Sequence, residues 1–429
     1  MFKSLKISIY FVLLIVLAGC STSPSPKLAS NKKAFAEEDI YILSALRMEQ
    51  VKNHRGASNL FEVLYEQSDK KEYLYRSLNN DLVANDNEKL IQRVDALTLG
   101  KVDDFIMIRL KIIALIKLNR LEEAKDLGLI LVEKSKEIDD YLLVSGIYVK
   151  DKQFDTALKY LEGAYVKDYN EKILDKMSII LYVNLHRKKD AIAQLETHSR
   201  MHSCSRLICQ RLAGFYSNDN NVDGLLSTYL RLYQMDSKKG IADKIVQIYG
   251  YKKDYIKLMN FLEENSVNDE LLFELYIQNK NYIKAAPLAD KLYKNSGNID
   301  YLGQSAIFEY ESTKDKNDET MQKSVIKKLK SVISKKRDTI YLNYLGYILI
   351  DHNIDVKEGI KYIKESLEKE PNSAYYLDSL AWGYYRLGEC REAKKIMNRV
   401  TKMKGSDNPE VKKHIQAINK CKNNKKKVK

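Results

Sequence analysis

Proline and glycine are scarce in this chain of 429 residues, which contains five prolines and 17 glycines. After Pro24 and Pro26 the next proline is Pro287, so the long stretch between Pro26 and Pro287 contains none. Strands joined by many tight turns rely on both residue types, whereas proline inside a helix breaks it. The composition therefore argues against an all-β protein and favours helices.

Sequence signatures of catalysis are also missing. There is no glycine-rich phosphate loop ending in Gly-Lys-Ser/Thr, no HExxH metal motif and no Gly-x-Ser-x-Gly nucleophile elbow. The six histidines are scattered, and none lies beside a serine or cysteine in a recognised nucleophile pattern. The sequence therefore predicts a protein that is not an enzyme and that needs no cofactor, no catalytic metal and no small-molecule substrate.

The body of the chain has no large excess of one charge sign. Of 72 basic residues, Lys3 and Lys6 lie in the segment 1–19 and six lysines lie between Lys420 and Lys429, which leaves 64 against 58 acidic residues. Such a balance describes an ordinary solvated surface, so the net charge of +14 is weak support for nucleic-acid binding. We interpret the lysine-rich end as a solubilising tail, with contact to anionic lipid or nucleic acid as the alternative.

The N-terminal segment 1–19 has the order of a secretory signal. Lys3 and Lys6 are followed by an apolar run from Ile7 to Ala18 and then by small residues. This run is shorter than the ~20 residues that a helix needs to cross the hydrocarbon of a bilayer. A retained transmembrane anchor is therefore disfavoured.

The segment Leu17–Cys20 (LAGC) resembles the bacterial lipobox, in which the cysteine is diacylated and becomes the new N-terminus. The resemblance implies removal of residues 1–19 and anchoring through acyl chains on Cys20, since stable anchoring needs more than one chain. Ser21 stands where many inner-membrane lipoproteins have Asp, which implies the outer membrane, with the body facing the periplasm. Residues 20–36 then form a flexible tether. An ordinary signal peptide with an incidental cysteine is the alternative.

The remainder of the chain repeats with a period of about 34 residues. Each unit has two amphipathic helical segments joined by a polar turn, as in Leu110–Leu118 followed by Leu121–Val132. The interval from Leu258 to Ala285 is shorter, and the longer one from Ala285 to Gly359 holds an irregular unit centred near Val325. Small or medium residues mark the centres of the other second helices: Ala57, Ile91, Ala124, Ala157, Ala191, Gly224, Leu258, Ala285, Gly359 and Ala393.

The unit at residues 371–400 resembles the tetratricopeptide repeat. The family's buried leucine, packing tyrosine, turn glycine and helix-crossing alanine are matched by Leu380, Tyr384, Gly388 and Ala393. The preceding unit carries Leu345, Gly346 and Gly359, with one extra residue in its turn. The earlier units keep the length and spacing but few signature residues, so they also fit generic helical repeats.

The resemblance implies an all-α fold, a right-handed α-solenoid of about eleven helix pairs over residues 37–405, with its clearest repeats at 339–405. Two short helices cannot bury their apolar faces alone, so each pair depends on its neighbours. Residues 406–429 are predicted to hold a capping helix that begins at Pro409, and the lysine-rich tail. A stack of this kind has a concave inner surface.

In the family, the first helix of each pair lines this inner surface. By the resemblance, the partner-binding groove contains Tyr347, Asp378, Trp382, Tyr385 and Arg386. Aromatic residues and arginine bury area at little cost in entropy and are common where peptides bind. The alternative is that these side chains pack against the capping helix.

Four potential metal ligands fall close together in the sequence: His198, His202, Cys204 and Cys209. Their spacing matches no established zinc finger, and exported proteins more often oxidise paired cysteines, so a zinc site is disfavoured. A Cys204–Cys209 disulfide and free or otherwise paired thiols both stay open.

Cys390 and Cys421 form a second candidate pair. Cys390 opens the second helix of the last repeat, and Cys421 ends the capping helix. Because neighbouring helices in the stack are antiparallel, these two ends are expected to meet. A disulfide there would close a loop of about 30 residues and contribute roughly 3 kcal/mol. Unpaired thiols are the alternative.

These features predict a lipid-anchored periplasmic scaffold that binds protein partners. By resemblance, its process is assembly of outer-membrane proteins, pili or flagellar motors, or polysaccharide export. The alternative is a non-catalytic regulatory subunit of an envelope enzyme acting on cell wall or polysaccharide, which would co-purify with that enzyme and change its rate. A nucleic-acid binder using the lysine tail is disfavoured by the predicted export, and salt-sensitive duplex binding would be its mark.

Overall fold

The computed structural model describes residues 33–404 and 407–422. These residues form 23 α-helices and no strand, arranged along the chain as eleven pairs and a final helix. The predicted all-α repeat fold and its capping helix are therefore confirmed, whereas the right-handed sense of the stack stays a prediction. The signal segment, Cys20 and most of the tether lie outside the described residues. None of the described helices has both the length and the apolar character needed to cross a bilayer.

The described helices divide into two compact units, the first ending at Asn221 and the second beginning at Val222. The helices of the N-terminal unit are α1 (Glu38–Gln50), α2 (His54–Ser68), α3 (Lys71–Val83), α4 (Asn87–Thr98), α5 (Phe105–Lys117), α6 (Leu121–Ser135), α7 (Ile138–Lys150), α8 (Phe154–Asp168), α9 (Glu171–Ile179, continued by a π-helical turn Ile180–Asn184), α10 (Lys188–His202) and α11 (Arg206–Asn218). Its core is continuous across successive pairs: one cluster of buried side chains extends from Leu74 to Ile147.

The helices of the C-terminal unit are α12 (Val222–Met235), α13 (Lys239–Lys252), α14 (Tyr255–Asn265), α15 (Asp269–Gln278), α16 (Tyr282–Ser296), α17 (Ile299–Ser312), α18 (Glu319–Lys335), α19 (Thr339–Asp351), α20 (Val356–Lys369), α21 (Ala374–Arg386), α22 (Cys390–Val400) and α23 (Pro409–Lys420). Helix α18 is the second helix of the irregular unit, and its Val325 is fully buried, as the spacing predicts. The extra residues form the loop 313–318.

Small residues allow the paired helices to cross closely. Ala157 and Ala393, which were predicted at the centres of their second helices, instead lie in the first turn, each as the fourth residue of its helix, and both have no exposed surface. Helices α19 and α20 cross so closely that a Cβ atom built on Gly359 would lie 2.6 Å from the carbonyl oxygen of Gly346. The two backbones are in direct contact there, so neither position has room for a side chain.

A left-handed residue closes nearly every turn within a pair. In ten of the eleven pairs this residue has a φ between 53° and 78°: Lys52, Asn85, Asn119, Lys152, His186, Asn220, Lys253, Lys280, Asn353 and Gly388. In nine of these ten turns the next residue donates its N–H five residues back, as Glu389 does to the carbonyl oxygen of Tyr384 at 2.9 Å. This is the Schellman pattern that ends a helix, and it favours glycine because a Cβ atom strains the left-handed region. In the tenth turn, Arg187 donates six residues back, to Leu181, after the π-helical turn. Among these ten turn residues only Gly388 is a glycine.

We expect Lys152→Gly to raise the free energy of unfolding by about 0.5 to 1 kcal/mol. Lys152 has a φ of 60° and an exposed side chain, so the substitution relieves backbone strain without removing packing. The matched control is Lys159→Gly, at an exposed position inside α8, which should lower the free energy of unfolding by about 1 kcal/mol. Urea denaturation followed by far-ultraviolet circular dichroism measures both, and effects of the same sign would contradict this account of the turn.

Candidate functional site

A cavity of about 640 Å³ lies in the C-terminal unit, between the first helices of the last three pairs and the capping helix α23. Helices α17, α19 and α21 supply most of its wall, and Lys316 of the loop 313–318 and residues 408–411 supply the remainder. The rim is open to solvent, since Tyr375 is 58% exposed and Ile340 is 51% exposed. The volume lies within the range of cavities that bind small molecules or several side chains.

The repeat register places equivalent residues of α19 and α21 in this wall. Asn343 and Asp378 are one repeat apart and occupy the same position in their helices, as do Tyr344 and Ser379. Within α19, Tyr344, Tyr347 and Asp351 are spaced by three and four residues, so they share one helix face. The sequence therefore builds one lined surface from successive first helices.

Tyrosines and carboxylates alternate around the cavity. The hydroxyl of Tyr344 donates to Glu311 at 3.1 Å, and that of Tyr347 donates to Glu410 of α23. Burial raises the pKa of the Tyr344 and Tyr347 hydroxyls, and the neighbouring carboxylates raise it further. Both hydroxyls are therefore neutral hydrogen-bond donors at physiological pH.

An ammonium group from the irregular loop already occupies part of the wall. Lys316 Nζ lies 4.4 Å from the centre of the Tyr310 ring and donates to the backbone carbonyl oxygens of Tyr310 and Glu311. Burial lowers the pKa of this lysine, because a charged group loses hydration there. The Tyr310 hydroxyl in turn lies 3.2 Å from His352 Nε2. The wall thus binds one cation through a ring face and carbonyl oxygens.

Two buried oxygen atoms of the wall have no hydrogen-bond partner among the described residues. They are Oδ1 of Asp378 and Oδ1 of Asn343, the two equivalent positions of α21 and α19. Asp378 is only 6% exposed, and its other oxygen lies 2.9 Å from His414 Nδ1. A buried acceptor without a donor is costly, so these atoms are suited to accept hydrogen bonds from a bound group.

The five groove residues predicted from the sequence separate into two sets. Tyr347 and Asp378 line the cavity. Trp382 instead stacks on His414 of α23, with ring centres 4.2 Å apart, and on Tyr385 at 4.8 Å. Its indole N–H donates to Asp351 at 2.9 Å. For Trp382 and Tyr385 these contacts favour the packing alternative.

Arg386 is the fifth predicted residue. Its side chain is exposed, and its guanidinium carbon lies 6.0 Å from the Trp382 ring. The capping helix therefore covers the part of α21 that holds Trp382, while the cavity opens beside its N-terminus at Asn408 and Glu410.

We expect Trp382→Ala to lower the free energy of unfolding by about 2 kcal/mol, because it removes a half-buried ring stacked between α21 and α23. Trp382→Phe keeps an aromatic ring and loses the hydrogen bond to Asp351, so it should cost about 1 kcal/mol. Tyr251→Ala, at a side chain that is 77% exposed, is the control and should change stability by less than about 0.5 kcal/mol. Urea denaturation followed by circular dichroism gives the three values. A Trp382→Ala protein as stable as the control would contradict the packing role.

The structure pairs the four candidate cysteines. The Cα atoms of Cys204 and Cys209 are 5.6 Å apart and those of Cys390 and Cys421 are 5.7 Å apart, and a disulfide joins each pair. His198, the candidate metal ligand beside Cys204, has one ring nitrogen 2.8 Å from the Tyr165 hydroxyl and the other 3.3 Å from Glu171. Within residues 33–404 and 407–422, no group of three or more side chains is arranged to hold a metal ion.

Sequence reasoning missed several residues of the cavity: Tyr310, Asn343, Tyr344, Lys316 and Glu410. Asn343 and Tyr344 could have been predicted from the repeat spacing, because each lies one repeat before a residue of α21 that lines the cavity. Lys316 and Glu410 carry no such signal. They come from the irregular loop and from the capping helix, which lie outside the repeating pattern.

No protein-family model matches the sequence, and no curated protein matches it. The crystal structure of the APC/C hetero-tetramer Cut9-Hcn1 is similar with a TM-score of 0.32 and 10% identity, over 90% of this chain and 97% of that one. The structure of Naa15/Naa10 bound to HypK-THB has a TM-score of 0.30 and 11% identity, over 89% of this chain and 66% of that one. A tetratricopeptide repeat protein from Parabacteroides merdae has a TM-score of 0.28 and 14% identity, over 66% of this chain and 99% of that one.

At these TM-scores and identities the likeness supports no inference about partners or function. The architecture rests on the helices themselves, which form a series of paired helical repeats.

Proposed function

We propose that this chain, a series of helical repeats consistent with the tetratricopeptide-repeat family, is a lipid-anchored scaffold of the bacterial cell envelope. It binds a segment of a protein partner in the tyrosine-lined cavity of its C-terminal unit. The observation that carries the proposal is the cavity itself, which combines an open rim, aromatic walls and two buried acceptors without partners among the described residues. Aromatic surface with a few placed polar groups is the chemistry of peptide recognition.

The arrangement of the cavity groups suits binding without catalysis. Tyr344 and Tyr347 have raised pKa values and donate to carboxylates, so they are held neutral and oriented. General acid–base catalysis by a tyrosine would require the opposite change, a pKa brought closer to the working pH. Groups fixed in this way contribute shape and hydrogen bonds to a complex.

The N-terminal segment is what supports the proposed location of the scaffold. Acyl chains on Cys20 would hold the body at the periplasmic face of the outer membrane, and the tether would let the helical units reach partners nearby. Cys20→Ser is the test of this part. The wild-type protein should sediment with outer membranes, and the variant should not enter that fraction. An unchanged distribution would contradict the lipid anchor.

Site-specific crosslinking tests the docking cavity. A photoreactive amino acid is placed at Tyr375, on the rim of the cavity, in the full-length protein in its native envelope. The control has the same amino acid at Tyr251, which is exposed in the same unit and does not line the cavity. We expect a defined protein adduct from position 375 that is missing from position 251, identified by mass spectrometry.

The outcomes separate the proposed scaffold from its rivals. No adduct at position 375, or the same adducts at both positions, would contradict docking in the cavity. If the adduct is an envelope enzyme whose rate changes when this protein is added, the regulatory-subunit alternative replaces the assembly scaffold.

A further inference from the structure

The cavity carries an excess of negative charge. Four carboxylates line it, Glu311, Asp351, Asp378 and Glu410, against the single ammonium of Lys316. Asp351 accepts from the Trp382 indole and Glu410 from the Tyr347 hydroxyl, and both donors are neutral. These hydrogen bonds hold Asp351 and Glu410 in place without neutralising their charge, so both carboxylates can attract a cation that enters the cavity.

The most buried of these carboxylates, Asp378, has one oxygen atom that receives no hydrogen bond from the described residues. Asp378 is more than nine-tenths buried and lines the cavity, and this oxygen atom is its Oδ1. The Oδ1 atom of Asn343, one repeat earlier, is also buried and also has no hydrogen-bond partner among the described residues. Two acceptors at equivalent positions of neighbouring helices can receive two N–H donors from one bound group. A bound group with donors and a positive charge would satisfy both atoms and offset the burial of the carboxylate.

The same wall shows how an ammonium is held. Lys316 lies over the Tyr310 ring at 4.4 Å and donates to two backbone oxygens. Tyr344, Tyr347 and Tyr375 present further ring surface around the same space. Tyrosine faces attract cations, and the attraction grows as water is excluded.

We infer that the cavity selects a basic side chain, lysine or arginine, from the partner segment that it binds. The inference rests on the proposed docking function and names the chemistry of its ligand. The cationic group lies between Asn343 and Asp378, where it donates to their free Oδ1 atoms, and its aliphatic stem packs on the tyrosine rings. An acidic side chain would meet like charge at short range, and an apolar one would leave the buried acceptors unpaired.

A peptide titration tests the inference with the full-length protein in a non-ionic detergent. The probe is an eight-residue peptide of alternating alanine and lysine, capped at both ends and carrying one neutral fluorophore. Peptides with arginine, glutamine or glutamate in place of lysine are compared by fluorescence anisotropy. We expect the lysine or arginine peptide to bind at least tenfold more tightly than the glutamine peptide, and no binding of the glutamate peptide.

Isosteric variants locate the binding. Asp351→Asn combined with Glu410→Gln keeps both hydrogen-bond acceptors and removes two charges, and should weaken binding of the basic peptide at least tenfold. Asp378→Asn should weaken it by a similar factor. The control, Glu274→Gln combined with Glu368→Gln, removes the same charge from exposed positions of the same unit outside the cavity and should change affinity less than twofold. Circular dichroism establishes that each variant is folded.

The remaining outcomes overturn the inference. The first two are a loss of affinity in the control variant as large as in the cavity variants, and binding of the glutamine peptide as tight as that of the basic peptides. The other two are displacement of the basic peptide by an equal concentration of the free polyamine spermine, and no binding of either basic peptide. If basic peptides fail while Tyr375 still forms its specific crosslink, docking in the cavity stands and only the basic ligand is wrong. If both fail, the proposed function is wrong as well.

Discussion

Gly359→Ala is expected to lower the free energy of unfolding of the C-terminal unit by about 3 kcal/mol, a large fraction of the stability of an ordinary domain. The new methyl group would lie 2.6 Å from the carbonyl oxygen of Gly346 and 2.7 Å from Ile350 Cγ1. A flexible side chain could turn away, but the backbone carbonyl belongs to a helix. The substitution must therefore push α19 and α20 apart, against the intrinsic gain of alanine over glycine in a helix.

Two other glycines of the same unit separate the causes of this effect. Gly388→Ala meets no atom within 4 Å but forces alanine into a φ of +78°, so it should cost about 1 kcal/mol through backbone strain alone. Gly250→Ala has an ordinary φ and open space within α13, so it should be neutral or stabilising by up to about 1 kcal/mol. Urea denaturation followed by the fluorescence of Trp382, the single tryptophan, reports on this unit. A Gly359→Ala protein no less stable than Gly388→Ala would contradict the close crossing.

The repeat pattern predicts most of the fold because stacking forces a common spacing on the buried residues. Ala57, Ala124 and Ala285 were identified by interval alone, and all three have no exposed surface. They were expected at helix centres, but each is the fourth residue of its helix, because the interval fixes the repeat and not the point at which the helix begins. The pattern did not predict how the turns close. Lys152 and Lys253 adopt the left-handed conformation that favours glycine, and the strain of one residue is outweighed by the packing of two helices.

The sequence predicted only those cavity residues that lie on the first helices of the repeats. Tyr347 and Asp378 follow from the position of the first helix and do line the cavity, but Trp382, on the same helix as Asp378, is covered by α23. Sequence position selects a helix face, whereas the length and path of the segment after the last repeat decide which part of that face stays open. The path of this segment also places the first turn of α23 at the cavity, where Glu410 accepts a hydrogen bond from Tyr347.

Removing the disulfide between Cys390 and Cys421 is the second change with a large expected effect. The double variant Cys390→Ser/Cys421→Ser should lose roughly 3 to 4 kcal/mol, because the bond joins positions 31 residues apart and restricts the unfolded chain. In the folded state it joins the start of α22 to the end of α23, whose apolar Val411 and Ile418 are buried. The loss should therefore also weaken the docking of α23, and with it the wall of the cavity.

Reduction and a second cysteine pair provide the controls for this prediction. Dithiothreitol should destabilise the wild-type protein to the level of the double variant and leave the Trp382-reported unfolding of that variant unchanged. Cys204→Ser/Cys209→Ser opens a much shorter loop, so it should cost roughly 2 kcal/mol, measured by circular dichroism. Since α23 carries Glu410 and His414 into contact with Tyr347 and Trp382, only the Cys390 and Cys421 variant should also weaken binding of the basic peptide. Equal effects of the two pairs on peptide binding would mean that α23 does not shape the cavity.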